Sequence, residues 1–310
     1  MIRALFSIGT NSTRLLALDE RGRRVAGESR GTRVGAGIGA TGTIDPEAHD
    51  RTLDAIDAYV AMVRELGPAT IDAVATSALR RASDGARFAE RVADRVGVSP
   101  RILSGAEEAT YSFLGATMQR SGDEEIAVLD VGGGSAELAV DAPSRARRDR
   151  VVRRTFSLEI GAVRLSERHR ALLGARALDA AERRALEREA RADAAGVLGP
   201  YGQVRGFREL IAVGGTVFTA AAMVAGGARD GATMTRADRE RLIDSLLARD
   251  LDARKAMPFI RPQRADILPA GLIVVDEACR ALGVDAFTVS EADLLLGYLT
   301  SPAFRAIPGP

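Results

Sequence analysis

The sequence has no tryptophan, one cysteine, two histidines and, among 43 basic residues, a single lysine. The lone Cys279 excludes an internal disulfide and a thiolate metal cluster, and it favours a reducing, cytoplasmic location. Lys255 is far along the chain from any glycine-rich turn, so a phosphate loop that depends on lysine is also excluded. The sequence therefore lacks the residues that several common classes of metal and nucleotide site require.

Long apolar runs and a strong net charge are also missing. No stretch approaches the ~20 apolar residues that span a bilayer, so we expect no membrane partner. The net charge of +1 provides no overall basic field for a nucleic acid. A chain of 310 residues, 46% hydrophobic and 27% charged, is typical of a globular protein with one large or two ordinary domains.

Two glycine-bearing stretches, residues 7–16 and 130–139, follow the same plan. Each follows an apolar strand-like run and leads directly into another, which predicts a hairpin whose bare backbone N–H groups can approach a phosphate. The duplication suggests two related halves that face one polyphosphate. The copies differ at one position, because Asp130 is an acid and its counterpart Ser7 is not.

Strand-like and helical patterns alternate along both halves, which predicts layered α/β sheets. A third glycine turn, Gly214-Gly215-Thr216, lies between a strand pattern and a helix start and is a candidate anion site. The glycine-rich residues 31–42 are predicted as a loop, either a mobile lip over the site or a plain connector. Glu107 and Glu108 follow a helix start, where acids usually cap the helix and complement its dipole.

Several separate stretches together resemble one family. They are Gly9-Thr10-Asn11-Ser12 with Arg14, Ala75 to Arg80, Ser104-Gly105 with Glu107-Glu108-Ala109, Asp130 to Glu137, Ser157 with Gly161 to Arg164, Gly214-Gly215-Thr216, and Arg264 to Gly271. In this order, over about residues 2 to 300, they resemble the exopolyphosphatase and guanosine pentaphosphate phosphohydrolase (Ppx/GppA) family of the actin-like and sugar-kinase ATPase superfamily. Each motif is weak alone, and the set is specific.

The resemblance implies a fold, a reaction and partners. It implies two ribonuclease-H-like domains, residues 1–121 and 122–310, with a cleft between them. Family members split terminal phosphate from inorganic polyphosphate, and some convert guanosine pentaphosphate to tetraphosphate, with Mg²⁺ (or Mn²⁺) as cofactor. The family architecture also implies a homodimer.

The same resemblance assigns roles to individual residues. Glu108, which lies 22 residues before Asp130, matches the catalytic glutamate that orients or deprotonates the attacking water. Asp130 and Glu137 match acids near the metal and the water, so Glu137 is both a catalytic and a metal candidate. The phosphate-binding candidates are Gly9, Thr10, Asn11, Arg14, Arg80, Gly132, Gly133, Gly134, Ser135, Gly214, Gly215, Thr216 and Arg264.

Three departures from the family pattern motivate an alternative. Ser7 stands where family members usually have aspartate, Asp230-Gly231 where they often have histidine-glycine, and Leu295 and Leu296 replace an arginine and a glutamate. The leading hypothesis is a Mg²⁺-dependent exopolyphosphatase that also accepts guanosine pentaphosphate. The alternative is a catalytically weakened regulatory protein that binds polyphosphate or guanosine tetraphosphate. A sugar kinase or actin-like scaffold is a third hypothesis.

Overall fold

The computed structural model describes residues 1–120, 124–142, 151–227 and 230–308. Its strands are β1 (Ile2–Ile8), β2 (Thr13–Leu18), β3 (Arg24–Arg30), β4 (Ala69–Ala75), β5 (Arg101–Ile102), β6 (Ile126–Val131), β7 (Ala136–Ala142), β8 (Val151–Leu158), β9 (Glu209–Val213), β10 (Thr233–Thr235), β11 (Ala286–Val289) and β12 (Ile307–Pro308). Its α-helices are α1 (Ile38–Thr41), α2 (Pro46–Glu65), α3 (Ser77–Arg81), α4 (Gly85–Val96), α5 (Gly105–Thr117), α6 (Ala162–Arg168), α7 (Ala180–Leu198), α8 (Gly215–Val224), α9 (Arg236–Leu247), α10 (Leu251–Lys255), α11 (Leu268–Leu282) and α12 (Leu294–Thr300).

The strands form two mixed sheets with the same central plan. In the first sheet the order is β12-β4-β1-β2-β3, and β5 pairs with β4. In the second it is β10-β11-β9-β6-β7-β8. In both sheets an antiparallel three-strand meander is followed by strands parallel to its first member. The predicted duplication of the chain is confirmed at this level.

The two predicted glycine hairpins are confirmed, and their turns close in the same way. Gly9 N donates to Ser12 O at 3.0 Å, and Gly132 N donates to Ser135 O at 3.0 Å. The strand register places Ser7 opposite Arg14 in the first hairpin. In the second, the equivalent pair is Asp130 and Glu137, described below.

Helix α5 lies between the two halves and packs on both. Its Ala109 and Phe113 are buried against β6, β7 and β9 of the second sheet. Its Tyr111 packs with Leu5 of β1 and with α12, where the Tyr111 and Tyr298 ring centroids are 4.9 Å apart. Because one helix contributes to two cores, its first turn lies between the sheets.

The segment 294–308 returns to the first sheet. A Cβ atom on Gly297 would lie 1.9 Å from the Tyr111 carbonyl, so only glycine allows α12 to approach α5 this closely. The fully buried Asp72 of β4 accepts hydrogen bonds from Tyr298 Oη at 2.9 Å and from Arg305 Nε at 2.8 Å. These contacts attach the segment to β4.

Two sequence predictions concern chain boundaries. The predicted domain boundary at 121/122 lies outside the described residues and stays a prediction. The prediction of a loop over residues 31–42 is wrong in part, because Ile38–Thr41 forms the one-turn helix α1, flanked by Gly37 and Gly42 with positive φ. In the described part of the chain, no helix is both long and apolar enough to cross a bilayer.

Candidate active site

The first turn of α5 places two adjacent glutamates, Glu107 and Glu108, in different environments. The side chain of Glu107 accepts a hydrogen bond from Ser104 N at 2.8 Å, Glu107 N donates to Ser104 Oγ, and Glu107 also pairs with Arg101. This is a capping box, so the capping interpretation is confirmed for Glu107. Glu108 makes no such contact. One helix position further on, it turns inward and is 6% exposed.

Glu108 pairs with Arg80 of α3. Nη1 of Arg80 donates to Glu108 Oε1 and to the carbonyl of Leu103, the latter at 2.6 Å. Burial raises the pKa of the Glu108 carboxyl to about 7, because the effect of burial and of neighbouring acids outweighs that of Arg80. A carboxyl with this pKa exchanges a proton near neutral pH, as a general base must.

Asp130 and Glu137 are cross-strand partners in β6 and β7. Ser112 Oγ donates to Asp130 Oδ2 at 2.6 Å, and Ser157 Oγ donates to Glu137 Oε1 at 2.8 Å. Burial raises the pKa of Asp130 to about 6, and burial together with Glu108 and Asp130 raises the pKa of Glu137 well above its usual value. The three carboxyls thus concentrate negative charge in a buried place, which favours a proton or a cation.

The donor set suits a hard cation with few protein ligands. Among the described residues no three His, Cys, Asp or Glu side chains are grouped as a ready-made metal site. Ser7, the counterpart of Asp130, is 4% exposed and supplies no carboxylate. Mg²⁺ commonly uses one or two carboxylates, several waters and substrate phosphate, and Mn²⁺ accepts the same oxygen ligands. Asp130 and Glu137 fit that requirement.

Two arginines lie beside the acids. Nη1 of Arg14 donates to Asp293 Oδ2 at 2.6 Å. Burial opposes the charge on Arg14, but Asp293 and Asp130 outweigh it and raise the pKa of the guanidinium. Arg14 thus takes the position that Glu137 occupies in the second hairpin, and the two hairpins present opposite charges.

Arg264 is a half-buried cation in a positive environment. Burial and then the neighbouring Arg14 and Arg261 lower the pKa of Arg264 to about 10. Its Nη2 donates to Ser12 Oγ at 3.3 Å. A Cβ atom on Gly215 would lie 2.1 Å from its Nη1, so the guanidinium lies flat against the glycine turn. An anion bound here would favour the charged form of both arginines.

The two hairpin tips touch each other. A Cβ atom on Gly134 would lie 2.7 Å from Thr10 Oγ1, and one on Gly133 would lie 3.1 Å from Thr10 Cβ. Only glycine allows this approach at position 134. The carbonyl of Thr10 accepts from Gly35 N, and that of Gly133 accepts from Val163 N. The N–H and C=O groups of a trans peptide point in opposite directions. The N–H groups of Asn11 and Gly134, which follow these two carbonyls, therefore point away from Gly35 and Val163.

The other residues predicted to bind phosphate lie in different surroundings. The N–H groups of Gly9 and Gly132 close the turns, so these glycines shape the hairpins. Gly214, at φ 100°, approaches Asp130, since a Cβ there would lie 2.9 Å from its Oδ1. Thr216 is buried against α11 and lines neither cavity described below.

Two cavities adjoin the hairpins. The first, of about 870 Å³, is lined by Arg14, Gly214, Gly215, Arg264 and Asp293, and we call it the Arg14 cavity. The second, of about 760 Å³, is lined by the tips of both turns, by the loop after β3 and by α6, and we call it the α6 cavity. Glu108, Asp130 and Glu137 line neither cavity.

The structure brings the predicted acids together and adds residues that sequence reasoning missed. Ser112 lies one helical turn after Glu108, so the i,i+4 spacing on α5 could have identified it. Asp293 is 279 positions from Arg14 in the chain. The sequence feature that could have identified it is its position as the N-cap of α12, after a strand. Asn11 Oδ1 and Ser77 Oγ are buried with no hydrogen-bond partner among the described residues.

Comparison with known proteins shows which family the chain is similar to. A model of the Ppx/GppA phosphatase family matches residues 19–303. Exopolyphosphatase 2 of Mycobacterium tuberculosis is 32% identical over 97% of this chain and 98% of its own. A crystal structure of an exopolyphosphatase-like protein is 27% identical, covers 98% of this chain and 99% of that chain, and has a TM-score of 0.85. The crystal structure of an exopolyphosphatase from Cytophaga hutchinsonii is 24% identical, covers 96% of both chains and has a TM-score of 0.82. The predicted fold of two ribonuclease-H-like, actin-like domains is confirmed.

Proposed function

The chain belongs to the Ppx/GppA phosphatase family, and on that premise we propose that it hydrolyses the terminal phosphoanhydride bond of inorganic polyphosphate. The observation that carries this proposal is the buried Glu108, which pairs with Arg80 and lies beside Asp130 and Glu137. The name of the M. tuberculosis relative supports polyphosphate as the substrate.

The terminal phosphate binds beside the contact of the two hairpin tips, where backbone N–H groups of Gly133 and Gly134 and the hydroxyl of Thr10 donate to its oxygens. Arg14 and Arg264 neutralise the following phosphates in the Arg14 cavity. A Mg²⁺ ion held by Asp130 and Glu137 would neutralise charge on the phosphate oxygens.

Glu108 performs the proton transfer. Its carboxylate accepts a proton from a water whose oxygen bonds to the terminal phosphorus, while the bridging P–O bond breaks and the shortened chain leaves with its electron pair. Arg80 keeps the carboxylate oriented and holds its pKa near neutrality. Burial excludes competing water from Glu108.

Phosphate release from polyphosphate, with and without Mg²⁺, tests this mechanism. Glu108→Gln removes the base, and loss of a general base typically lowers the rate about 10²–10⁴-fold. Glu107→Gln is the matched control, because the neighbouring glutamate makes only capping and surface contacts. Equal losses in both variants, or wild-type rates in Glu108→Gln, would contradict the assignment.

Guanosine pentaphosphate is a second proposed substrate. At about 870 Å³, the Arg14 cavity is large enough for a nucleoside beyond the phosphates that Arg14 and Arg264 contact. Competition between guanosine pentaphosphate and polyphosphate for hydrolysis checks whether both use this cavity. Additive rates from a mixture at saturation would contradict a shared site.

A weakened binding protein is the second candidate function, and Ser7 favours it. Ser7 occupies the position in the first hairpin that Asp130 occupies in the second, so only the second hairpin contributes a carboxylate. Calorimetry with polyphosphate and guanosine tetraphosphate distinguishes the candidates, since the binding protein requires tight binding with negligible turnover. Turnover at rates usual for enzymes, about 1–10³ s⁻¹, would exclude it.

A further inference from the structure

The α6 cavity is separate from the Arg14 cavity and has a different wall. The two share no lining residue, although Gln263 and Arg264 line the Arg14 cavity while Asp266 and Ile267, just beyond in the chain, line the α6 cavity. The segment 263–267 therefore runs between them. Only the tips of the hairpins, at Thr10, Asn11 and Gly134, reach the α6 cavity.

The wall of the α6 cavity carries an excess of positive charge. Five arginines line it, at positions 33, 81, 164, 168 and 170, against two acids, Glu167 and Asp266. Asp193, outside the lining, pairs with Arg168 at 2.8 Å. Arg81 and Arg164 both pair with the carboxylate of Glu159. Nε of Arg81 lies 3.2 Å from Glu159 Oε2. Burial and then Arg81 and Arg168 act to lower the pKa of Arg164, while Glu159 opposes them. Arginines that repel one another across a concave wall favour a bound anion.

Unpartnered donors reach the same cavity. The Ser77 hydroxyl is 2% exposed, lines the cavity and has no hydrogen-bond partner in the described residues. It lies next to the second turn, because a Cβ on Gly134 would be 2.9 Å from its Oγ. Nε of Arg164 is buried and unpartnered in the same way. Buried donors normally have partners, so an acceptor-rich ligand accounts for both.

We propose that the α6 cavity is a second oxyanion site, which receives the orthophosphate that hydrolysis releases. This inference rests on the proposed function. In an in-line displacement, the attacking water and the leaving chain are on opposite sides of the transferred phosphorus. With the chain in the Arg14 cavity, the separated phosphate lies at the hairpin tips, and those tips line the α6 cavity. Its volume holds the ion together with water.

The walls of this cavity come from both halves of the molecule. Gly37 N, in the loop after β3, donates to Glu167 Oε1 of α6 at 2.7 Å. Arg33 pairs with Asp266 across the same division at 2.7 Å. The cavity is therefore bounded by both halves.

Two measurements on the full-length protein test the site. The first is the inhibition constant of orthophosphate against polyphosphate hydrolysis. The second is the dissociation constant of orthophosphate, measured by calorimetry without polyphosphate. In Arg164→Gln we expect both constants to rise at least about tenfold, because a charge-assisted hydrogen bond is lost. KM for polyphosphate should change less than about twofold, since Arg164 is outside the Arg14 cavity.

Two further variants separate a specific contact from a general loss of charge or fold. Arg164→Lys keeps the charge but lacks the guanidinium Nε–H, so its orthophosphate dissociation constant should lie between those of the wild type and of Arg164→Gln. Arg176→Gln removes an equal charge from an exposed arginine paired with Glu182, and it should leave both constants unchanged. An equal rise in Arg176→Gln, or unchanged constants in Arg164→Gln, overturns the site.

The outcomes also separate this inference from the proposed function. If the wild type releases no phosphate but binds orthophosphate, and Arg164→Gln weakens that binding, the second oxyanion site stands and the proposed function is wrong. If hydrolysis is normal and only Arg264→Gln weakens orthophosphate binding, the ion belongs to the Arg14 cavity and this inference is wrong.

Discussion

Replacing Arg80 by glutamine should move the acidic limb of the pH–rate profile upward. Glu108 must be ionised to accept a proton from water, so activity falls as the pH drops through the pKa of its carboxyl, about 7. Arg80 lowers that pKa by its charge and its hydrogen bond. Removing the arginine leaves burial and the neighbouring acids unopposed, and the pKa of Glu108 rises.

The size of the change follows from the contact that is lost. The side chains of Arg80 and Glu108 are 25% and 8% exposed, so solvent screens the pair little. A hydrogen bond to a charged group contributes about 1.5–3 kcal/mol, and about 1.4 kcal/mol corresponds to one pKa unit. The acidic limb should therefore move up by about one to two pH units.

The assay is kcat/KM for phosphate release between about pH 5.5 and 9.5 at a fixed Mg²⁺ concentration. Arg101→Gln is the matched control, because Arg101 pairs with Glu107, the neighbouring glutamate on the same helix turn. We expect the control profile to match the wild type. An acidic limb that stays in place or moves to lower pH in Arg80→Gln would refute the role of Glu108 as the base.

Three other substitutions test the charges around the site. Ser7→Asp should lower the Mg²⁺ concentration that gives half-maximal activity, and an unchanged metal titration would mean that other groups already satisfy the ion. Asp293→Asn keeps the helix cap and frees Arg14 from its carboxylate, so KM for polyphosphate should fall severalfold with kcat little changed; a rise in KM would mean that Asp293 positions the arginine. Gly215→Ala places a methyl group against the guanidinium of Arg264 and should raise KM about tenfold, whereas an unchanged KM would show that Arg264 does not contact the chain.

Local patterns predicted the hairpins and most helices because those elements depend on neighbouring residues. The turns at residues 7–16 and 130–139 need only strand-forming runs and glycine, both visible in the sequence. Glu107 and Glu108 show where such reasoning ends. Both satisfy the pattern of a helix first turn, and only the packing of α5 between two sheets makes one a surface cap and the other a buried acid.

The family resemblance predicted Glu108 rather than Glu107 as the catalytic glutamate, and Glu108 is the buried one of the two. The resemblance did not reveal the partner of Arg14. Asp293 reaches the Arg14 cavity only because the segment 294–308 returns to the first sheet. No local sequence pattern encodes this long-range contact. The α6 cavity has the same origin. Its arginines come from α3, from the loop after β3, and from α6 with the turn that follows it, three regions that are far apart in the chain.

The return of residues 294–308 to the first sheet has a consequence for synthesis on the ribosome. Four leucine and tyrosine side chains of α12 complete the apolar cluster around Leu5 of β1, and Arg305 neutralises the buried Asp72 of β4. Residues 118–293, 176 in number, separate the end of α5 from α12, and their synthesis takes roughly 10 to 35 s at usual elongation rates. During that interval the nascent first half exposes an apolar face and an unpaired carboxylate, so it is the period in which a chaperone would bind it.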